Sequence, residues 1–170
     1  MTRLSDESTH ILVTGPMGAG KTTVGRLLST ALGVPFHDSD GTLERRAGET
    51  GAEIAERDGV PHLHALELEV FLDLCETRPR SIIAPAASVV DHETGRHAMA
   101  ANTTIWLTAS DEVLVARTSD GDDHRRGVTA GERAALRRRR DPWLERVSSL
   151  KVDNSSLSPE ETVERILGLL

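Results

Sequence analysis

The chain has 170 residues and 18.4 kDa, the size of one domain over residues 1–170 around a single core, and 38% hydrophobic with 28% charged residues excludes a disordered chain. Twenty basic against 27 acidic residues give −7, and the aromatics stop at Phe36, Phe71, Trp106 and Trp143, so nucleic acid is excluded as a partner by charge and by the lack of stacking platforms. No long apolar run exists and the first residues, MTRLSDESTH, are polar, so a membrane partner is not expected, residues 1–9 read as a flexible N-terminus, and the expected location is cytoplasmic. The single cysteine, Cys75, cannot form an internal disulfide, and the core alone must hold the fold as a monomer or small homo-oligomer.

Ile11 to Thr14 is a short apolar run that ends at glycine and leads into a helical pattern from Lys21 to Leu32, which reads as strand, loop, helix. Pro35-Phe36-His37, Ser81 to Ala84, Thr103 to Thr108 and Leu150 to Val152 are further strand candidates. Thr50 with Glu53, and Ser158 with Glu161 after Pro159, have the spacing of capping boxes and predict two helix starts. Strands alternating with helices predict an α/β architecture with a mostly parallel sheet covered on both faces. Residues 118–131, polar and glycine-containing between two helical patterns, suit a lid.

Gly15-Pro16-Met17-Gly18-Ala19-Gly20-Lys21-Thr22 is a complete Walker A motif in the strand-to-helix setting that its mechanism needs. Gly15, Gly18 and Gly20 let backbone amides close around phosphates, and the helix N-terminus, from Lys21 through Thr22 and Thr23, adds partial positive charge. Lys21 can reach the outer phosphates, and the Thr22 hydroxyl can ligate a bridging magnesium ion. The expected cofactors are therefore ATP and Mg2+. Asp38 and Asp40 follow the second strand, where open α/β sheets bind ligands. Asp38 can hold the hydrated metal and Asp40 can orient or deprotonate an acceptor hydroxyl; the alternative for both is an Asp-rich turn capping a helix that starts near Thr42. His62, His64, His92 and His97 have neither the spacing nor the cysteine partner of a zinc site.

From Ile11 onward the chain resembles shikimate kinase, a family of small P-loop kinases that phosphorylate a hydroxyl of a cyclic carboxylic acid with ATP. Besides the Walker loop, the Asp38-Ser39-Asp40 element matches, and Arg45 to Gly59 is similar to the family's acceptor-side helices. Arg117 looks like the nucleotide-side arginine, Arg126 falls where the lid arginine belongs, and Arg140-Asp141-Pro142 resembles the element that places an arginine on the substrate carboxylate. The resemblance implies a P-loop kinase fold with about five parallel strands, ATP and magnesium at the loop, catalytic roles for Lys21, Asp40 and Arg126, and an acceptor pocket under a closing lid.

The departures gather in that pocket. The family's Gly-Glu-x-x-Phe-Arg-x-x-Glu is here Gly59-Val60-Pro61-His62-Leu63-His64-Ala65-Leu66-Glu67, so His64 stands where an arginine binds the carboxylate. Losing a charge-assisted contact of that kind removes roughly 1.5–3 kcal/mol. The family's three glycines after the third strand are Pro85-Ala86-Ala87, and Ala86 and Ala87 bring methyl groups where backbone approached the substrate. The expected partner is a small hydroxylated acceptor, a cyclic acid, cyclitol or sugar, contacted by Asp40, His64, Ala86, Ala87 and Arg140. Two functions follow: an ATP-dependent kinase acting on such a hydroxyl, or a nucleotide-binding regulatory or partner protein that kept the loop and lost transfer.

Overall fold

The computed structural model describes residues 9–119 and 129–170, so Arg126 and most of the expected lid lie outside the described residues. The elements in chain order are β1 (Ile11–Thr14), α1 (Lys21–Leu32), β2 (Phe36–Asp38), α2 (Ser39–Ala47), α3 (Gly51–Asp58), α4 (Val60–Cys75) and β3 (Ile82–Ala84). The 3-10 turn Val89–Asp91, α5 (Glu93–Ala101), β4 (Thr103–Thr108), α6 (Asp111–Ser119), α7 (Ala130–Val147), β5 (Leu150–Asp153) and α8 (Pro159–Leu169) complete them. The two ends of the expected lid are thus helical, in α6 and α7.

All five strands run parallel in the order β2-β3-β1-β4-β5. β1 lies at the centre, with Leu12 in register with Ile83 on one side and Thr104 on the other, and its four residues are all buried. A strand covered on both faces has no polar face to alternate with, which is why Ile11 to Val13 reads as an unbroken apolar run. Ile11, Val13, Ile105 and Leu107 pack with Val24 and Leu28 of α1 and with Val163 and Ile166 of α8. On the other face Leu12, Ile83 and Trp106 pack with Val70, Phe71 and Leu74 of α4, Met99 of α5 and Leu144 of α7.

Helix ends follow local chemistry. Both predicted capping boxes form: Thr50 Oγ1 accepts the Glu53 amide at 3.2 Å, and Ser158 Oγ accepts the Glu161 amide at 3.1 Å. A third, Thr129 with Glu132, starts α7 inside the segment read as lid. Because parallel strands all deliver their C-terminal ends to one edge, the loops after β1, β2, β3 and β5 meet there and build the site.

Candidate active site

The loop between β1 and α1 turns on glycines of positive φ, Gly15 at 148°, Gly18 at 81° and Gly20 at 85°. A Cβ on Gly15 would stand 2.4 Å from the Leu107 carbonyl oxygen, and one on Gly18 would stand 2.7 Å from that of Leu114. The loop is therefore pressed against β4 and α6 with room for backbone only. Gly20 caps α1 without any side-chain hydrogen bond, and no acidic residue occupies the first turn, so the positive end of this helix faces the loop unneutralised by its own turn. Lys21 Nζ donates to the carbonyls of Gly15 at 3.1 Å and Pro16 at 3.2 Å. Thr22 Oγ1 donates to Asp38 Oδ2 at 2.6 Å, joining the start of α1 to the end of β2.

Extended geometry stops at Asp38, which corrects the expectation of a helix start near Thr42. Asp38 is itself the N-cap of α2, its Oδ1 accepting the Asp40 amide at 3.2 Å, so the helix begins at Ser39 and Asp40 sits in its first turn. The two readings of this aspartate are compatible, since one carboxylate oxygen caps the helix while the other meets Thr22. Lys21, Thr22, Thr23, Asp38, Asp40 and Arg117 line one cleft of about 510 Å³, together with Gly18, Ala19 and Gly20. Gly15 does not line it.

Sequence reasoning missed Asn154. It follows β5, is 3% exposed, and its Nδ2 donates to the Ala19 carbonyl at 2.9 Å, while its Oδ1 and backbone carbonyl accept from Arg117 at 3.1 and 3.0 Å. Its place just past the C-terminal end of a parallel strand was the signal available.

These groups fit a chain of phosphates with magnesium. The fit rests on a backbone cradle that a Cβ would fill, a helix N-terminus with no side-chain cap, and a hydroxyl paired with a carboxylate, the sparse protein ligation that magnesium beside phosphates accepts. The family model described as shikimate kinase matches residues 17–170. The chain belongs to the shikimate kinase family. A shikimate kinase of Methylococcus capsulatus is 36% identical over 162 residues, covering 94% of this chain and 90% of that protein. A shikimate kinase of Thermobifida fusca is 35% identical over 167 residues, covering 96% and 95%. The structure of the Acinetobacter baumannii shikimate kinase in complex with shikimate superposes with a TM-score of 0.88 at 28% identity, covering 95% of this chain and 92% of that one. The chain thus has the P-loop kinase fold and is a phosphotransferase of the kinase class acting on a hydroxyl group, which favours that reading over a nucleotide-binding protein without transfer.

Of the residues that shikimate kinase likeness marks for the acceptor, Asp40 lines the nucleotide cleft, whereas His64, Ala86, Ala87 and Arg140 do not. Ala86 is 2% exposed, packs in the core and donates its amide to Ser39 Oγ at 2.8 Å; Ala87 is half-buried beside it. Pro85, which replaces the first family glycine, does line the cleft. His64 is half-buried on α4, one turn before Glu67, which is 2% exposed and accepts a hydrogen bond from Ser88. Arg140 lies on α7 just before Pro142, where its guanidinium is bound by Asp91 of the 3-10 turn. Among the described residues no helix is long and apolar enough to cross a membrane.

Proposed function

We propose that the chain transfers the γ-phosphoryl group of Mg-ATP to a hydroxyl of a small polyhydroxylated ring of the shikimate type. One observation carries this reading: Lys21 and Thr22 of the phosphate loop and Asp38 and Asp40 of α2's start line the same cleft. Lys21 offers a point charge to the outer phosphates, and the loop amides with the α1 N-terminus hold them in place. Thr22 and Asp38 would hold the magnesium ion, and Thr23 adds its position in the first turn of α1. When bound, magnesium supplies charge neutralisation across the outer phosphates.

Asp40 orients or deprotonates the attacking hydroxyl. It stands in the first turn of α2, where its carboxylate oxygens are acceptors for that proton. Arg117, held by Asn154, covers the nucleotide side, and Arg126 is assigned to the transferring group from the lid.

The test is ADP release with Mg-ATP against a panel of hydroxylated acids, cyclitols and sugars, with the product identified by its added phosphoryl mass. Acceptor-dependent turnover that is lost in Lys21→Ala, and reduced in Asp40→Asn at unchanged ATP affinity, is the expected result. ATP binding without product from any acceptor would overturn the transfer reading.

A further inference from the structure

Strands β2 and β3 pair in parallel up to Asp38 and Ala84, and the Ile82 amide donates to the Pro35 carbonyl at 2.8 Å. Parallel ladders repeat every two residues, so the amides of Ala84 and Ala86 look to residues 37 and 39 for their acceptors. At Ser39 the chain is already helical, and a helical carbonyl is directed along α2 toward its own fourth neighbour. The Ala86 amide is satisfied all the same, because Ser39 Oγ accepts it at 2.8 Å. One hydroxyl thus carries the ladder a step past the end of the strand. Ser39 is 1% exposed and Ala86 2%, so water does not compete for this bond. Ser39 also stands between Asp38, which meets Thr22, and Asp40, and both carboxylates line the cleft together with Ala84 and Pro85. Further along the loop that follows β3, Ser88 donates to Glu67 of α4, which is 2% exposed. Two buried side chains therefore tie this loop down, and the one on the cleft side is Ser39.

We propose that Ser39 is a positioning residue for phosphoryl transfer, fixing Pro85 and the loop after β3 against the carboxylate of Asp40. The inference rests on the kinase reading above, in which Asp40 meets the attacking hydroxyl. Ser39 is buried and does not line the cleft, so it acts through the groups it holds. Transfer is sensitive to such placement, because a displacement of about 1 Å at the reacting groups can cost about a hundredfold in rate. Without the hydroxyl, the Ala86 amide is left buried and without this acceptor, which favours a shift of the loop toward water and away from α2. The phosphates are held independently, since the amide cradle, Lys21 and the N-terminus of α1 all come from the other side of Thr22 in the chain and make no bond to Ser39. Losing the tie therefore falls on the acceptor. A residue that served the fold alone would lower Tm and leave the kinetic constants of the folded protein as they are.

Shikimate is the probe acceptor, used with Mg-ATP at a temperature where every variant is folded. Ser39→Ala should lower kcat/KM for shikimate about tenfold and leave the KM for ATP within about threefold of wild type. Ser39→Cys keeps the volume with a weak acceptor, should fall nearly as far, and stands in should the alanine variant fail to fold. Ser39→Thr keeps the oxygen and should bring kcat/KM for shikimate back to within about threefold of wild type. Calorimetric titration of shikimate into protein carrying a non-hydrolysable ATP analogue should rank the variants in the same order without transfer. Hydrogen exchange across residues 84–88 should be faster in the alanine and cysteine variants. A lowered Tm with kcat/KM for shikimate unmoved in both would make Ser39 a residue of the fold alone and overturn the proposal. An equal loss in the KM for ATP, or a threonine variant no better than alanine, would overturn it as well. A wild type that binds shikimate without turning it over would instead remove the kinase reading, and the ranking of shikimate affinities would then decide whether Ser39 shapes the acceptor side.

Discussion

Arg117 grips Asn154 twice, through Nη1 to the side-chain Oδ1 at 3.1 Å and through Nη2 to the backbone carbonyl at 3.0 Å. The same asparagine donates Nδ2 to the Ala19 carbonyl at 2.9 Å, so a single buried side chain sets both the phosphate loop and the arginine that lines the cleft. Asn154→Ala leaves the Ala19 carbonyl without its partner, at about 1–3 kcal/mol of stability, and frees Arg117. ATP affinity should fall about tenfold by calorimetry, with a lowered Tm. Asn154→Asp still accepts from Arg117 but cannot donate to Ala19, and it should fall between the two. Equal ATP affinity in all three proteins would remove Asn154 from the nucleotide site.

Asp38 has two jobs that substitution can separate. Asp38→Asn retains a side-chain oxygen for the Asp40 amide and should leave stability within about 0.5 kcal/mol, whereas Asp38→Ala loses the cap and about 1 kcal/mol more. Both variants lose the charge that faces Thr22, so both should need a higher magnesium concentration for half-maximal turnover. Urea unfolding and a magnesium titration of ADP release read the two effects independently. A magnesium requirement unchanged in both would leave Asp38 as a helix cap only.

How much of this was legible depended on how local each feature is. The Walker loop is contiguous, and Ile11 to Thr14, Thr103 to Thr108 and the boxes at Thr50 and Ser158 carry their geometry within a few residues, so each was readable from spacing. The start of α2 was not, because an aspartate can end a strand and cap a helix with one side chain, and pattern alone does not show which geometry Asp40 inherits. Asn154 and Asp91 were invisible for a different reason. Each acts through a partner far along the chain, Arg117 and Arg140, and neither residue type is unusual in a loop. Arg140 itself was singled out, but its pairing with Asp91 was not.

The glycines of the phosphate loop should differ in tolerance. Gly15→Ala drives a methyl to 2.4 Å from the Leu107 carbonyl oxygen, a backbone atom that cannot swing away, and should be destabilising by more than about 2 kcal/mol with loss of ATP binding. For Gly20→Ala the nearest atom is Val24 Cγ2 at 4.0 Å, which leaves only the unfavourable φ, about 1–2 kcal/mol. Urea unfolding of both variants checks the order. A Gly20 variant as unstable as the Gly15 one would show that backbone conformation, rather than closeness to β4, sets the cost.

The last prediction concerns pH. His10 is 1% exposed; the Ser81 amide donates to its Nδ1 at 3.2 Å, so the proton sits on Nε2, which faces the Cys75 carbonyl at 3.1 Å. Protonating Nδ1 would break the Ser81 bond and place a charge in the interior. Burial, with Arg78 nearby, holds His10 below its ordinary value of 6.5, and burial with Arg45 does the same for His37. Between the folded and the ordinary value the unfolded chain binds the extra proton, so the stability from these two histidines is complete above about pH 6.5 and is lost as pH falls through that window. Thermal unfolding from about pH 8 to pH 5 should show Tm declining below about pH 6.5. His10→Gln should lower Tm at neutral pH and flatten part of that decline, with His37→Gln flattening more of it. A Tm that stays level down to pH 5, or an equal slope in the double variant, would show that neither ring is held neutral by the fold.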